Sequence, residues 1–207
     1  MSGLAGLLRR LAVRSGRFEG LYRRFGRPGG LEWAEMLRER GDFHAIGEHC
    51  SIDPHALIED RSHIRLGSNV RLAKCAIFGH DGAVNMINRA YGLRLDSVGK
   101  VEIRDNVYVG YGAIILPGVT IGPNAIVSVG SVVRVDVGEG DVVAGVPAKR
   151  VGRLEMSVAM LKARNEQYPW RHLIEQRKGE IDPALEPELE RLRLTYFFGE
   201  NSPRSGT

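Results

Sequence analysis

An aliphatic residue recurs every six positions through the middle of this 207-residue chain. From Ile103 the steps land on Val109, Ile115, Ile121, Val127 and Val133. The fifth position of the same hexads reads Val107, Ala113, Val119, Ala125, Ser131 and Val137, always small or β-branched. Helices repeat every ~3.6 residues and strands every ~2, so neither produces this spacing. Upstream the pattern returns as Ile46, Ile52, Ile58 and Ile64, slips by two residues, and resumes at Leu66, Leu72 and Phe78. Fifth positions there are Cys50, Ala56, Ser62, Val70 and Ala76.

Such a chain turns a corner every six residues, with one aliphatic and one small residue pointing inward on each side. Glycine supports this reading: 26 of 207 residues is well above the usual share of roughly 7%. No Gly-X-Y period accompanies it. Instead Gly follows the aliphatic at Ile46-Gly47, Leu66-Gly67, Phe78-Gly79, Val109-Gly110 and Ile121-Gly122. Turn chemistry gathers at Asp105-Asn106, Pro117-Gly118 and Pro123-Asn124. Three sides close a coil of about eighteen residues, and stacked coils pair their short strands in parallel as a solenoid.

The run from Ile103 to Val127 resembles the hexapeptide-repeat acyltransferases, in the branch of the maltose, galactoside and polysaccharide O-acetyltransferases. Val143 to Lys149 resembles the segment that closes that family's repeat. The resemblance covers residues 46–153, and it implies a mainly β fold, a left-handed parallel β-helix. It also implies a homotrimer with sites in the grooves between subunits, and acetyl-CoA as co-substrate. Handedness follows from the resemblance, because the period alone does not specify it.

Around this domain the sequence predicts a helical N-terminal capping segment over 1–45 and a helical C-terminal extension with a tail over 154–207. Leu4, Leu7, Leu8, Leu11, Leu21 and Phe25 recur at broadly helical spacing, and Leu31 to Arg40 reads as a second helix ended by Gly41. Residues 1–30 hold seven Arg against one acid, Glu19, on a chain whose formal net charge is only +4. Packing of the apolar positions on the open end of the solenoid is favoured over contact with a membrane surface. A localised basic arm differs from a uniformly basic nucleic-acid binder, so no nucleic-acid partner is expected. Ser157 to Lys178 and Pro187 to Leu194 are predicted helical, with 197–207 as a mobile tail.

Arg14 and Arg17 interrupt the apolar stretch after Arg9-Arg10, leaving no secretory h-region. Two cysteines cannot make a disulfide framework. These features predict a cytoplasmic protein. Cys50 occupies an inward small position and is expected in the core, whereas Cys75 falls off that position and is expected to be exposed.

The hexads fail once. After Phe78-Gly79-His80-Asp81 about twenty residues refuse the repeat, predicting a protruding loop over 81–100. In the resembling acetyltransferases a catalytic histidine stands at this point, and here it is His80. Asp81 stands where Pro is common in that family, so the acceptor is left open. Asp81, Asn85, Asn88, Arg89 and Tyr91 are the candidate acceptor-binding residues. A sugar hydroxyl is a poor nucleophile at neutral pH, so its proton must leave as the oxygen attacks a thioester. Imidazole, with a pKa near ~6.5, suits that task. The resemblance assigns coenzyme A to Tyr111, Val129, Arg134, Lys149 and Arg150. His44, His49 and His80 invite comparison with zinc carbonic anhydrases of similar fold, but their order is reversed, and no metal is expected. Acetyl transfer to a hydroxyl of a sugar or glycan is the favoured activity. N-acetylation of an amino-sugar nucleotide and a non-catalytic trimeric scaffold are the alternatives.

Overall fold

The computed structural model describes residues 3–199. They divide into two compact units, one extending to Leu154 and one beginning at Glu155. The first is a three-faced parallel solenoid with a helical arm. Its first face stacks Ala45–Ile46, Ile64–Leu66, Val101–Ile103 and Thr120–Ile121. The second stacks Ser51–Ile52, Arg71–Leu72, Tyr108–Val109, Ile126–Val127 and Asp141–Ala144. The third stacks Leu57–Ile58, Ala76–Ile77, Ile114–Ile115 and Val132–Val133. Glu102 pairs with Thr120, Tyr108 with Ile126 and Ile114 with Val132, each partner eighteen residues on. A last strand, Lys149–Arg153, folds back antiparallel on Asp141–Ala144.

The hexads predict the interior closely downstream of residue 100. Ile103, Val109, Ile115, Ile121, Val127 and Val133 are all buried, together with Val107, Ala113, Val119, Ala125, Ser131 and Val137. Corners are tight enough to dictate residue type. Asn69, Asn106 and Asn124 adopt positive φ, and their amides form a ladder, Asn69 to Asn106 at 2.9 Å and Asn106 to Asn124 at 3.0 Å. Asparagine tolerates this backbone conformation and offers both a donor and an acceptor to its neighbours above and below. At Gly110 a Cβ would lie 2.7 Å from the backbone nitrogen of Val129, one coil on.

Upstream, three inward assignments change. Ser62 is exposed, Phe78 is half-buried, and Ala76 is only partly covered. Ile77 and Cys75 fill the interior instead, because the side after Leu72 is one residue short. Cys75 is therefore buried rather than exposed, and burial pushes its thiol up to about 12. Cys50 is buried as expected.

Helices α1 (Gly3–Ser15), α2 (Glu19–Leu21) and α3 (Gly30–Arg40) form the arm, with a π-helical turn over Tyr22–Gly26. Gly41 ends α3 with φ 72°, its N–H returning to the Leu37 carbonyl. Trp33, Ala34, Met36 and Leu37 face the core, and Tyr22 stacks on Trp33 at 6.1 Å. Only part of the expected apolar set is buried. Leu8 joins the core and Leu11 is half-covered, but Leu4, Leu7, Leu21 and Phe25 remain exposed. Ala12 and Tyr22 are fully buried instead, Tyr22 on Trp33 of α3, because α1 packs on α3 and the π-helical turn. An ion-pair cluster locks the arm: Glu19 receives Arg40 at 2.6 Å and Arg61 at 2.8 Å, and both arginines also meet Asp42.

Residues 81–100 are not simply a loop, since Ala83–Tyr91 forms helix α4. In the second unit the predicted helix 157–178 is two, α5 (Leu154–Glu166) and α6 (Arg171–Gln176), parted by Tyr168-Pro169. Helix α7 (Glu186–Phe198) extends past Leu194, so Phe197 and Phe198 are helical. The remainder of the predicted tail, 200–207, lies outside the described residues. Trp170, Leu173 and Leu189 form this unit's small core, with Tyr168 stacked on Trp170 at 4.5 Å. Among the described residues helix exceeds strand, 39% against 19%, so the mainly β expectation describes the solenoid alone.

Candidate active site

Parallel register brings two side chains of the third face together. Leu57 and Ile58 pair with Ala76 and Ile77. Continuing that register past the strands sets Asp60 beside Gly79, immediately before His80. The Asp60 carboxylate accepts a hydrogen bond from Nδ1 of His80. Nε2, the opposite ring nitrogen, has no protein hydrogen bond among the described residues. Both side chains are partly exposed, at 42% for His80 and 31% for Asp60. The carboxylate holds the His80 imidazolium above the ordinary histidine range. The His80 backbone bridges antiparallel to Val98, with Asp81 N–H on the Ser97 carbonyl at 2.9 Å and Gly99 N–H on the Gly79 carbonyl at 2.8 Å. Residues 97–99 thereby clamp the histidine turn.

Between the two sides of that clamp stands α4, which buries none of its residues. Asp81 Oδ1 accepts the Ala83 N–H at 2.9 Å and so braces the start of the helix. Asn88 bonds the Leu95 backbone through both ends of its amide, each at 2.8 Å. That reciprocal pair ties down the returning chain. Asn85 and Arg89 line a shallow surface with Met86 and Ala90, and Tyr91 is 75% exposed.

A cavity of about 480 Å³ opens beside the histidine turn, lined by Asp81, Ser97, Leu116, Pro117, Arg134 and Val146 among others. It joins one expected acceptor residue, Asp81, to one expected donor residue, Arg134. The other donor candidates lie elsewhere on the solenoid. Tyr111 and Val129 occupy neighbouring turns at the corner between the second and third faces, where Gly130 N–H meets the Tyr111 carbonyl at 2.9 Å. Both are exposed. Lys149 and Arg150 belong to the closing hairpin on the second face, and Arg150 lies 3.9 Å from Asp141. Within one chain these residues do not converge on His80.

One residue of this site escapes a reading of motifs alone, Asp60. Asp60 follows Ile58 by two residues as Gly79 follows Ile77, so the stacking sets Asp60 against Gly79 with His80 next in the chain. His44 and His63 line a separate cavity of about 390 Å³ with Arg65 and Lys100. Among the described residues no three metal-ligating side chains gather.

Comparison with known proteins bears on the repeat. Residues 100–134 match the model for the bacterial transferase hexapeptide, six repeats. A Schizosaccharomyces pombe protein named, provisionally, as an acetyltransferase is 33% identical over 107 residues, 52% of this chain and 48% of that protein. A 2,3,4,5-tetrahydropyridine-2,6-dicarboxylate N-acetyltransferase of Staphylococcus aureus is 51% identical over 53 residues, 26% of this chain and 22% of its own. A solved maltose O-acetyltransferase from Clostridium difficile 630 is 23% identical, with 72% of this chain and 84% of that chain covered and a TM-score of 0.49. The chain spans about half the length, or less, of these two sequence relatives. Over residues 100–134 its coils are thus similar to bacterial transferase hexapeptide repeats.

Proposed function

We propose that this protein is an acetyl-CoA-dependent acyltransferase acting on a hydroxyl of a sugar or glycan. The observation that carries the reading is the His80–Asp60 pair, with His80 immediately preceding Asp81, which lines a cavity together with Arg134. Asp60 keeps the proton on Nδ1 and leaves Nε2 as the acceptor. Neutral His80 takes the hydroxyl proton at Nε2 while the oxygen attacks the thioester carbonyl. Asp60 steadies the imidazolium so formed, and Nε2 then gives its proton to the departing thiolate. No covalent enzyme intermediate is required, and the high pKa of buried Cys75 makes it a poor acyl carrier.

Related assignments belong to the same reading. The β-helix winds left-handed, as the resemblance to the hexapeptide-repeat acyltransferases implies. Three chains assemble, so that Tyr111, Val129, Lys149 and Arg150 of one subunit face the His80 groove of another. That assembly would reunite donor residues that a single chain keeps apart. Use of acetyl-CoA places the enzyme in the cytoplasm. The domain divisions near residues 45 and 153 follow from the same scheme. Transfer to an amine is the second reading, favoured by the short segment shared with an N-acetyltransferase.

The test is acetyl-CoA turnover, read as free thiol, across hydroxyl and amino sugars, with product mass identifying the acylated atom. His80→Ala should retain its melting temperature and lose activity by about 10²–10⁴-fold. Activity within about threefold of the parent would remove His80 from the mechanism. Failure of the parent to bind CoA would favour a scaffold.

A further inference from the structure

The arm carries an exposed face that the solenoid does not cover. Leu4 and Leu7 are 61% and 46% exposed, three residues apart on α1, with half-buried Leu11 continuing their stripe. Exposed Arg10 and Arg14 border that stripe on one side, while Leu8 and Ala12 turn inward. The following turn repeats the arrangement, with Leu21 at 44% and Phe25 at 58%, four residues apart, among exposed Arg17, Arg23, Arg24 and Arg27. Glu19, the one acid among residues 1–30, is engaged by Arg40 and Arg61. Arg9 is matched by Glu39. The other six arginines have no carboxylate partner among the described residues.

We propose that this face docks on an anionic lipid bilayer. Apolar side chains bordered by unneutralised arginines fit the boundary between acyl chains and acidic headgroups. A purely apolar face would suit another protein equally, but six unmatched positive charges call for a negative surface. Each arginine near such a surface raises partitioning by about fivefold. The arm is already ordered by Leu8, Ala12, Tyr22 and the Glu19 ion pairs, so little conformational freedom is lost on docking. Through Arg61 it is also fixed to the turn that carries Asp60, which would hold the site close to the lipid. The proposal is independent of the reaction assigned above.

Flotation of the full chain tests it, using vesicles of phosphatidylcholine with about one-third phosphatidylglycerol against pure phosphatidylcholine, at physiological salt. The parent should partition at least about tenfold more strongly to the anionic vesicles. Arg10→Gln with Arg14→Gln should lower that preference by about 25-fold or abolish it. Leu4→Gln with Leu7→Gln should weaken binding to the anionic vesicles while leaving melting temperature and particle mass unchanged. Equal or absent flotation of the parent overturns the proposal. So does a leucine variant that changes the oligomeric mass without changing vesicle binding, because the face would then join copies of the chain.

Discussion

A Cβ built on Gly79 would lie 2.7 Å from the Cβ of Asp60, closer than two such carbons can approach. Glycine at this position is what allows the carboxylate to reach the neighbouring imidazole. Gly79→Ala should therefore displace Asp60 and lower kcat by about tenfold to a hundredfold, since misplacement on the ångström scale carries penalties of that order. Overpacking should also cost about 1–3 kcal/mol in stability. Steady-state kinetics beside urea denaturation would separate the two effects, and unchanged kcat would show that the Asp60 contact is dispensable.

Asp60→Asn tests the charge while keeping the shape. Its carboxylate raises the His80 pKa, so the neutral base accumulates only at pH above the usual histidine value of about 6.5. The variant should move the acid limb of the pH–rate profile downward and reduce kcat by about 10²-fold. Stability carries the matching sign. A folded-state pKa raised above the unfolded one stabilises fully below about pH 6.5, and that contribution disappears as pH rises through the folded value. Melting curves taken across this window should lose that dependence in the variant.

The donor residues of the proposed site are spread along the solenoid. Arg134→Glu should raise KM for acetyl-CoA about tenfold with little change for the acceptor, because Arg134 lines the cavity beside Asp81. Lys149→Glu with Arg150→Glu should have the same selectivity if another subunit's groove receives them. High salt should blunt both effects. Equal effects on the two substrates would identify these positions as structural.

Glu19 offers a test of how the arm is held. Burial pushes its carboxyl up, but hydrogen bonds from Arg61 and Arg40 outweigh that and leave it below the ordinary range. Glu19→Gln should destabilise by about 1–3 kcal/mol at neutral pH, because two partly buried guanidinium groups lose a charged acceptor. A depressed pKa stabilises above the unfolded value of about 4.3 and is lost as pH falls through the folded one. Parent and variant should thus converge in acid. Denaturant midpoints near pH 7 and pH 3 would check both the size and the sign.

The repeat was legible because a solenoid is built from local information. Each side needs its own aliphatic, its small neighbour and its corner, so Ile115, Ala113 and Gly118 announce their roles within a few residues. Periodicity failed where a side changed length. Around residue 75 one residue fewer moved Ile77 and Cys75 inward and left Phe78 half-covered, and a fixed count of six could not detect that. Helix α4 has an apolar stripe of its own, Val84, Ile87 and Tyr91, which a search for a period of six passes over.

By itself, then, the sequence determined the period, the parallel stacking, the buried register beyond residue 100 and the histidine at the break in the repeat. Tertiary structure decided which groups surround that histidine. Asp60 and His80 are twenty residues apart, and only the stacking of one coil on the next makes them neighbours. It also decided the arm. A run of leucines states that apolar surface exists, but the packing of α1 on α3 and the π-helical turn determines how much of it is covered. Leu8 found a place there, and Leu4, Leu7, Leu21 and Phe25 did not.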